Sequence, residues 1–432
     1  MKKKYLFDKL LTFNQEHLLS FYNELSLKEK FFLKRDIKKI DFKMINDLYE
    51  SSFSKIIMDM KKVSNLKCIS NLTDETGKVY EEIGKKTVKN KEYAIIIMAG
   101  GNASRLGLNG PKGCFELNIN NKNISLFEIF ISQLKKVYDD LGVYINLYIM
   151  TSNSNYRKTV DFLKSKNFFG YPKKHISFFR QHDLPILNED GKILLKDKYK
   201  VLFGPNGNGD VFHSLRRSNI INKMKKKNIK YVLFSTVDNV LTNLIDFKFI
   251  GAMIHNNYGI STKTLLKEKE DDKNWVFCKY NNRPYMLPSL YIDKDITNKK
   301  GEDGDYIYRD TNITYHLLSM NEIEKLSKID LKYHRAFRKT PYLDLKGNFI
   351  TPTEPNSYKF EKFIFDAFYF SKNMLLYRTT VKEFCPIKNS NDVEKATKEL
   401  EKRFKWIEIH KKVWIFFIFL LIIYSHTKLS TI

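Results

Sequence analysis

A glycine-rich stretch with two cations follows the apolar run 93–98 of this 432-residue chain. The stretch begins at Ala99–Gly101, and Arg105 and Lys112 follow shortly after. Paired glycines after a strand let the backbone approach a nucleotide and turn its N–H groups toward phosphate oxygens. The two cations would neutralise charge where a polyphosphate sits. The spacing is that of neither a P-loop nor a dinucleotide-binding turn, so we expect a different class of nucleotide site.

Polar side chains also follow two later apolar runs. Gln181 comes after the run 176–179; its amide could pair with the edge of a pyrimidine base, although alone it would be a surface amide. Asp238 ends the run 231–237, where a carboxylate could hold Mg²⁺ on triphosphate oxygens. An Asx turn or a helix cap is the alternative for Asp238. The loop 204–209 carries three glycines and is either a loose turn or a backbone approach to the nucleotide.

The elements that must position these residues alternate along the chain. Apolar runs of four to eight residues predict strands, and the amphipathic stretches between them predict helices. We predict strands at 93–98, 145–150, 176–179 and 231–237, with helices at 126–138 and 156–166. Such alternation favours an α/β fold with a mainly parallel sheet and flanking helices, whose ligands bind at the carboxyl ends of the strands. Apolar residues at helical intervals in 14–19 and 27–48 predict that the N-terminal part is helical.

The glycine-rich stretch reads Ala-Gly-Gly-x-x-x-Arg-Leu-Gly followed by Pro-Lys-Gly. It resembles the signature of the eukaryotic-type UTP:sugar-1-phosphate uridylyltransferases, most closely the UDP-N-acetylglucosamine pyrophosphorylases. The similarity runs from Thr12–His17 to Pro386–Asn389 and covers most of the chain. The resemblance implies a Rossmann-like nucleotidyltransferase domain with a mixed, mainly parallel sheet. It also implies that Mg²⁺, UTP and N-acetylglucosamine 1-phosphate form the reacting complex, which yields UDP-N-acetylglucosamine and pyrophosphate.

The resemblance further implies roles for single residues. The catalytic contacts with phosphate would be made by Arg105, Lys112 and Lys388. The nucleotide would be bound by Ala99, Gly100, Gly101, Gln181, Gly207 and Asn208. The sugar would be bound by Asn312, Phe363 and Phe365, and Mg²⁺ by Asp238.

Two departures from the family pattern concern the sugar. Ser289 stands where the family has a Glu that accepts hydrogen bonds from the sugar, and Asp310-Thr311 stands where it has Ala-Gly. Losing a charged acceptor should weaken or change sugar recognition. Two alternatives therefore stay open: the same reaction on another sugar 1-phosphate, of the galactosamine or glucose type, or a non-catalytic UTP-binding relative.

Composition restricts the partners and the compartment. The chain has 75 Lys and Arg against 49 Asp and Glu, a formal charge of +26. The lysines are spread along the whole sequence, so a solvated surface explains them better than a nucleic-acid face, and we expect no nucleic acid as a partner. Four cysteines without a C-x-x-C pair exclude a disulfide scaffold and a zinc ribbon and fit a reducing compartment. No apolar segment of the signal-peptide kind follows the basic N-terminus, so we predict a cytoplasmic protein.

Three regions follow from these patterns: a helical region at 1–85, a catalytic nucleotidyltransferase domain at 86–400 and an apolar tail at 401–432. The tail does not resemble the C-terminal β domain of the family, which we therefore expect to be missing. Its apolar run Val413–Tyr424 has 12 residues and as a helix would span roughly 18 Å, short of the ~30 Å core of a bilayer. A membrane anchor, a buried strand and a truncated or alternative chain end stay open. The sequence does not predict the oligomeric state.

Overall fold

The computed structural model describes residues 3–51, 59–70, 72–267, 275–287, 299, 300, 304, 306 and 308–403. The helices are α1 (Lys3–Thr12), α2 (Leu27–Lys38), α3 (Phe42–Ser51), α4 (Asp74–Lys89), α5 (Leu126–Leu141), α6 (Tyr156–Ser165), α7 (Val211–Arg217), α8 (Ile220–Lys226), α9 (Phe247–His255), α10 (Met320–Leu326) and α11 (390–403). The strands are β1 (Val63–Ser64), β2 (Cys68–Ile69), β3 (Tyr93–Met98), β4 (Glu116–Ile119), β5 (Lys122–Ser125), β6 (Asn146–Thr151), β7 (Ile176–Arg180), β8 (Asp183–Pro185), β9 (Leu187–Asn188), β10 (Leu195–Asp197), β11 (Lys200–Val201), β12 (Phe203–Pro205), β13 (Tyr231–Thr236), β14 (Ile260–Leu266), β15 (Val276–Tyr280), β16 (Arg283–Leu287), β17 (Asp310–Ser319), β18 (His334–Arg338), β19 (Tyr342–Leu343), β20 (Phe349–Ile350), β21 (Ser357–Glu361) and β22 (Leu375–Arg378).

A large central sheet organises the fold. Its strands lie in the order β2, β22, β14, β17, β13, β3, β6, β7, and β15 pairs beside β17 and with β1 and β16. Along that order every pair is parallel except the two made by β17, which is antiparallel to both β14 and β13. The predicted α/β fold with a mixed, mainly parallel sheet is therefore confirmed.

The predicted elements of the sheet lie where the sequence placed them. The four predicted strands are β3, β6, β7 and β13, and the two predicted helices are α5 and α6. All residues of β3 and β6 are buried, as expected for strands of a parallel sheet covered on both faces. Helix α5 begins where Ser125 Oγ accepts a hydrogen bond from Glu128 N (3.2 Å), and it ends at Gly142, whose φ of 68° suits glycine.

The N-terminal region is helical only in part. The predicted pattern 27–48 forms two helices, α2 and α3. Within 14–19 only Glu16–Leu19 form a single 3-10 turn, and Asn14 before it has a left-handed φ of 55°. The prediction was wrong for residues 63–69, where β1 and β2 pair with β15 and β22 of the central sheet. Helix α4 runs through the predicted boundary at 85/86. The division into domains stays a prediction.

The N-terminal helices are joined to the rest of the chain through Gln15 and His17. Gln15 Nε2 donates to Gly191 O (2.9 Å), and its Oε1 accepts from Ile193 N (2.8 Å). His17 Nε2 lies 2.8 Å from Ile193 O. Apolar residues of α1 to α3 and of the turn between them share one core with β9, β10 and β11. The Gln15 side chain therefore satisfies backbone hydrogen-bonding groups of Gly191 and Ile193, as a paired strand would do.

No helix within the described part of the chain combines the length and apolar character needed to cross a membrane. The run Val413–Tyr424, on which the membrane question depends, lies outside the described residues.

Candidate functional site

Four adjacent strands, β13, β3, β6 and β7, end at the same edge of the sheet, and predicted site residues follow three of them. Backbone hydrogen bonds continue the pairing past the strand ends, from Val237 N to Met98 O (3.2 Å), from Ala99 N to Met150 O (2.8 Å) and from Gln181 N to Thr151 O (2.9 Å). The structure therefore brings the glycine loop at 99–101, Gln181 and Asp238 to one edge, as the fold class predicted.

Asn155, just before α6, fixes the start of the glycine loop. Its buried Nδ2 donates to the carbonyls of Ala99 (2.9 Å) and Gly101 (3.1 Å), and its Oδ1 accepts from Ser152 N (2.9 Å). A fully bonded buried amide of this kind holds the backbone in one path. Sequence analysis missed Asn155; its place between a predicted strand and a predicted helix was the only signal it offered.

Gly100 and Gln181 are in direct contact. A Cβ built on Gly100 would lie 2.7 Å from Gln181 Nε2 and 3.1 Å from its Oε1. Gln181 is only 5% exposed, and its side-chain amide has no hydrogen-bond partner among the described residues. A donor and an acceptor are thus available beside a glycine backbone, a combination that can pair with the edge of a nucleobase.

We expect Gly100→Ala to raise the KM for UTP by roughly 10- to 100-fold while the KM for the sugar phosphate stays the same. The added methyl group would displace the Gln181 amide, and because that amide is the end of a flexible side chain, the fold should survive. Gly110→Ala is the matched control, since a Cβ there would meet Leu108 Cγ at an ordinary 3.7 Å. Steady-state kinetics measures both effects; an unchanged KM for UTP would contradict the assigned contact.

Lys112 and Asp238 form an ion pair where the glycine loop meets the end of β13. Lys112 Nζ lies 2.9 Å from Asp238 Oδ1, and the side chains are 12% and 35% exposed. The backbone N–H of Lys112 donates to Gly101 O (3.2 Å), which ties the cation to the start of the loop. Arg105 lies exposed in the single turn Ser104–Leu106 and forms no ion pair with a described residue.

Asp238 fits a magnesium site that is completed by substrate. The described residues contain no group of three or more His, Cys, Asp or Glu side chains that could enclose a metal ion. Mg²⁺ in nucleotide enzymes is bound by one or two carboxylates together with substrate phosphates and waters. The partly exposed Asp238 carboxylate beside the glycine loop has that character. Its metal role stays a prediction.

Lys388 lies next to a residue that is bonded to Asp238. Ile387 N donates to Asp238 O (2.9 Å), and Lys388 N donates to Asp392 Oδ2 at the start of α11 (2.7 Å). The three predicted phosphate-binding cations therefore belong to segments that meet at the ends of β3 and β13.

The glycine loop at 204–209 packs against the segment that follows β21. Gly207 has a φ of 91°, and a Cβ on it would lie 2.3 Å from Lys362 O, so only glycine fits there. Asn208 Oδ1 accepts from Ile364 N (3.0 Å). Asn208 thus has a structural bond besides its predicted uridine contact, and the loop is joined to the segment that carries Phe363.

Asp210 joins this loop to the residue after Gln181. Its Oδ2 accepts hydrogen bonds from His182 N (2.8 Å) and Ser214 Oγ (2.7 Å). Burial would raise the pKa of Asp210, but the bonds from His182 and Ser214 lower it to about 2. The carboxylate is therefore ionised at neutral pH and holds the predicted base reader and the loop together.

The predicted sugar residues gather around Trp275, which sequence analysis missed. The rings of Phe363 and Phe365 stack with centroids 5.2 Å apart, and they lie 6.0 and 4.6 Å from the Trp275 ring. The backbone N–H of Asn312 donates to Trp275 O (2.9 Å). The Asn312 side-chain Oδ1 accepts from Thr314 N (2.8 Å). The aromatic surface itself suits a sugar ring or an acetamido methyl group. Ser289, the departure expected to alter sugar binding, lies outside the described residues.

A histidine and a carboxylate border this aromatic cluster. His334 Nε2 lies 2.6 Å from Asp366 Oδ2, and the His334 ring is 4.9 Å from the Phe363 ring. The pair supplies polar atoms beside an apolar surface. No motif or spacing in the sequence singles out His334.

Asp310, the second departure, is neutralised inside the sheet. Arg378 donates to both of its carboxylate oxygens, from Nε to Oδ1 (3.1 Å) and from Nη2 to Oδ2 (2.9 Å), and Thr264 Oγ1 donates to Oδ1 (2.7 Å). Thr311 Oγ1 donates to Leu265 O (2.9 Å). Both polar replacements are therefore satisfied by neighbouring strands, and Asn312 keeps its place next to Trp275.

A family model and two proteins of similar sequence match most of this chain. A family model described as UTP–glucose-1-phosphate uridylyltransferase matches residues 46–426. The UDP-N-acetylglucosamine pyrophosphorylase of Saccharomyces cerevisiae is 31% identical over 87% of this chain and 80% of the yeast protein. A Dictyostelium discoideum protein named "Probable UDP-N-acetylglucosamine pyrophosphorylase" is 33% identical over 87% of this chain and 81% of that protein.

The fold has a counterpart among crystal structures. The uridine diphosphate N-acetylglucosamine pyrophosphorylase from Trypanosoma brucei, in complex with an inhibitor, superposes with a TM-score of 0.75. The match covers 92% of this chain and 84% of that chain at 24% identity, a level at which the likeness shows the fold alone.

Proposed function

Because the chain belongs to the UTP–glucose-1-phosphate uridylyltransferase family, we propose that it makes UDP-N-acetylglucosamine and pyrophosphate from UTP and N-acetylglucosamine 1-phosphate. The convergence of the Gly100–Gln181 contact and the Lys112–Asp238 pair at one sheet edge carries this proposal. This arrangement places the Gln181 amide, which can bind a base, near the charges of Lys112 and Asp238, which can bind a triphosphate and its metal. The names of the similar proteins support the choice of sugar.

Gln181 reads the uracil edge while Gly100 and Gly101 bring the backbone close to the nucleotide. The loop around Gly207 closes the uridine pocket from the other side, held by its contact with Lys362. These contacts orient UTP so that its α-phosphate faces the sugar phosphate. Positioning of this kind supplies much of the rate of a transfer that uses no protein nucleophile.

In the reaction, a phosphate oxygen of the sugar phosphate attacks the α-phosphorus of UTP in line with the α–β bridging oxygen. A new P–O bond forms as the old one breaks, and pyrophosphate leaves with the electron pair. Arg105 and Lys112 neutralise the charge on the departing pyrophosphate, and Lys388 orients the attacking phosphate. Asp238 would hold Mg²⁺ together with the substrate, and the metal would supply a Lewis acid when bound. The 2.9 Å pair keeps Lys112 and Asp238 within reach of one triphosphate.

The sugar is placed by the aromatic cluster. Trp275, Phe363 and Phe365 offer apolar faces, and the Asn312 backbone is bonded to Trp275 O. The Asn312 side-chain Oδ1 accepts from Thr314 N (2.8 Å), so its Nδ2 is the group left to donate to a sugar. An acetamido group has a methyl that suits such faces and an amide that suits a hydrogen-bonding neighbour. Other sugar 1-phosphates and a non-catalytic role are the less favoured alternatives.

The test is a comparison of sugar phosphates with the purified full chain, UTP and Mg²⁺. We expect pyrophosphate release with N-acetylglucosamine 1-phosphate to exceed that with N-acetylgalactosamine 1-phosphate and glucose 1-phosphate. A faster reaction with either of the other two would assign a different sugar. UTP binding by calorimetry without turnover of any sugar phosphate would identify a non-catalytic relative.

We also propose that the activity is cytoplasmic. Cys68, Cys114, Cys278 and Cys385 are free thiols, as a reducing compartment requires. Fractionation of cells that express the full chain tests this proposal, and recovery with membranes would contradict it.

A further inference from the structure

Residues 383–388, here called the lysine segment, cross the end of β13 and carry Lys388. Asn239 pairs with Pro386 as an isolated antiparallel bridge, and Ile387 N donates to Asp238 O (2.9 Å). The backbone of Asp238-Asn239 is therefore the surface on which the lysine segment lies.

The side chain of Asn239 is used entirely to hold this segment. It is 2% exposed; its Nδ2 donates to Glu383 O (2.8 Å), and its Oδ1 accepts from Cys385 N (2.9 Å). The nitrogen and the oxygen of the Asn239 amide are thus bonded to two backbone positions of the lysine segment, at residues 383 and 385. The adjacent Asp238 side chain points to Lys112 instead. At the end of β13, Asn239 therefore binds the lysine segment while Asp238 pairs with Lys112.

A buried ion pair is a second anchor of the lysine segment. Lys263 is 1% exposed, and its Nζ lies 2.6 Å from Glu383 Oε2 and 2.6 Å from Asp246 Oδ2. Burial would lower the pKa of Lys263, but Asp246 and Glu383 raise it above its usual value, so the lysine stays charged. At the other end of the segment, Asp392 Oδ2 accepts from Lys388 N (2.7 Å) and Asn389 N (3.0 Å).

We propose that Asn239 is a positioning residue that holds Lys388 in register with Asp238. The inference rests on the proposed function, in which Lys388 orients the sugar phosphate and Asp238 lies on the triphosphate side. Asn239 then fixes the distance between the two reacting phosphates through the backbone of the lysine segment. Misplacement of a catalytic group by about 1 Å costs on the order of 100-fold in rate. Loss of the two Asn239 hydrogen bonds to the lysine segment should therefore lower kcat.

A double-mutant cycle tests whether Asn239 acts through Lys388. We expect Asn239→Ala to lower kcat by roughly 30- to 100-fold, with a smaller change in the KM for UTP. We expect the double variant with Lys388→Ala to be within about twofold of Lys388→Ala alone, because Asn239 then has nothing left to position. Asn256→Ala is the matched control: it also removes two hydrogen bonds, from Nδ2 to Tyr80 OH (3.0 Å) and to Ala252 O (2.9 Å), but it should leave kcat unchanged.

Other outcomes separate the possible failures. Additive losses in the double variant, or an unchanged kcat in Asn239→Ala, would overturn the positioning role while the wild-type activity stands. An inactive wild type would overturn the proposed function first. If Asn239→Ala does not fold, Glu383→Gln loosens the second anchor of the same segment with little change in shape. Its kcat should fall about 5- to 20-fold and show the same non-additivity with Lys388→Ala; additive losses there would overturn the inference.

Discussion

Replacing Arg105 by alanine should lower kcat/KM by roughly 30- to 1,000-fold, equivalent to ~2–4 kcal/mol of transition-state stabilisation. The side chain is exposed and forms no ion pair with a described residue. Its charge would therefore be available to a departing pyrophosphate, as its predicted role requires. The turn Ser104–Leu106 ends at Gly107, whose φ of 77° depends on the glycine and not on the Arg105 side chain. The loss should therefore appear in kinetics and leave the melting temperature unchanged.

Two further variants define what the Arg105 charge does. Arg105→Lys should recover part of the activity, because a point charge replaces a planar fork that binds phosphate in a bidentate manner. Arg35→Ala on α2 is the control, since it removes an exposed arginine whose nearest carboxylate, Asp36, is 3.8 Å away. An Arg105→Ala enzyme with wild-type kcat/KM would remove the residue from the catalytic set.

The second large effect is expected for Asp238→Asn. We expect kcat/KM to fall about 10³-fold, equivalent to ~4 kcal/mol. The amide keeps the shape of the side chain but loses the charge that would hold Mg²⁺, and it leaves Lys112 without its partner at 2.9 Å. Activity should return in part as the Mg²⁺ concentration rises, since the phosphates still supply ligands.

A matched aspartate makes this experiment specific. Asp140 on α5 pairs with Lys136 at 3.0 Å, nearly the same length as the Lys112–Asp238 pair, but it is exposed and away from the sheet edge. Asp140→Asn should change neither rate nor Mg²⁺ dependence, because exposed pairs contribute little. If Asp238→Asn kept the wild-type Mg²⁺ titration, the metal would have to be bound elsewhere.

The strands that were predicted from the sequence are the ones with continuous apolar runs. β3 and β6 are buried along their whole length, so their composition alone identifies them. β17 was not predicted because it contains the polar residues Asp310 and His316, which are buried between neighbouring strands, and His316 Nε2 has no hydrogen-bond partner among the described residues. Arg378 neutralises Asp310, and Thr262 Oγ1 lies 2.8 Å from His316 Nδ1. Burial lowers the pKa of His316 to about 3, so the ring is neutral.

Candidate site residues could be proposed from the sequence where they share a motif or directly follow a predicted strand, and not where a single residue lies outside both. The glycine loop with its two cations has a spacing that can be recognised. Asn155, Trp275 and His334 are single residues whose partners lie far away in the sequence. Asn239 is bonded to Glu383 and Cys385, which lie 144 and 146 positions away, and no local pattern predicts such contacts.

The strand order of the sheet determines which strands can pair early while the chain is still being synthesised on the ribosome. β13, β3, β6 and β7 can assemble once residues up to 236 have emerged, since their pairs with one another are complete by then. β2 has no such partner: Cys68 pairs with Leu376, near the end of the described chain. The two residues of β2 therefore stay unpaired until Leu376 and Tyr377 have been made, and this long-range closure is a late step in completing the sheet.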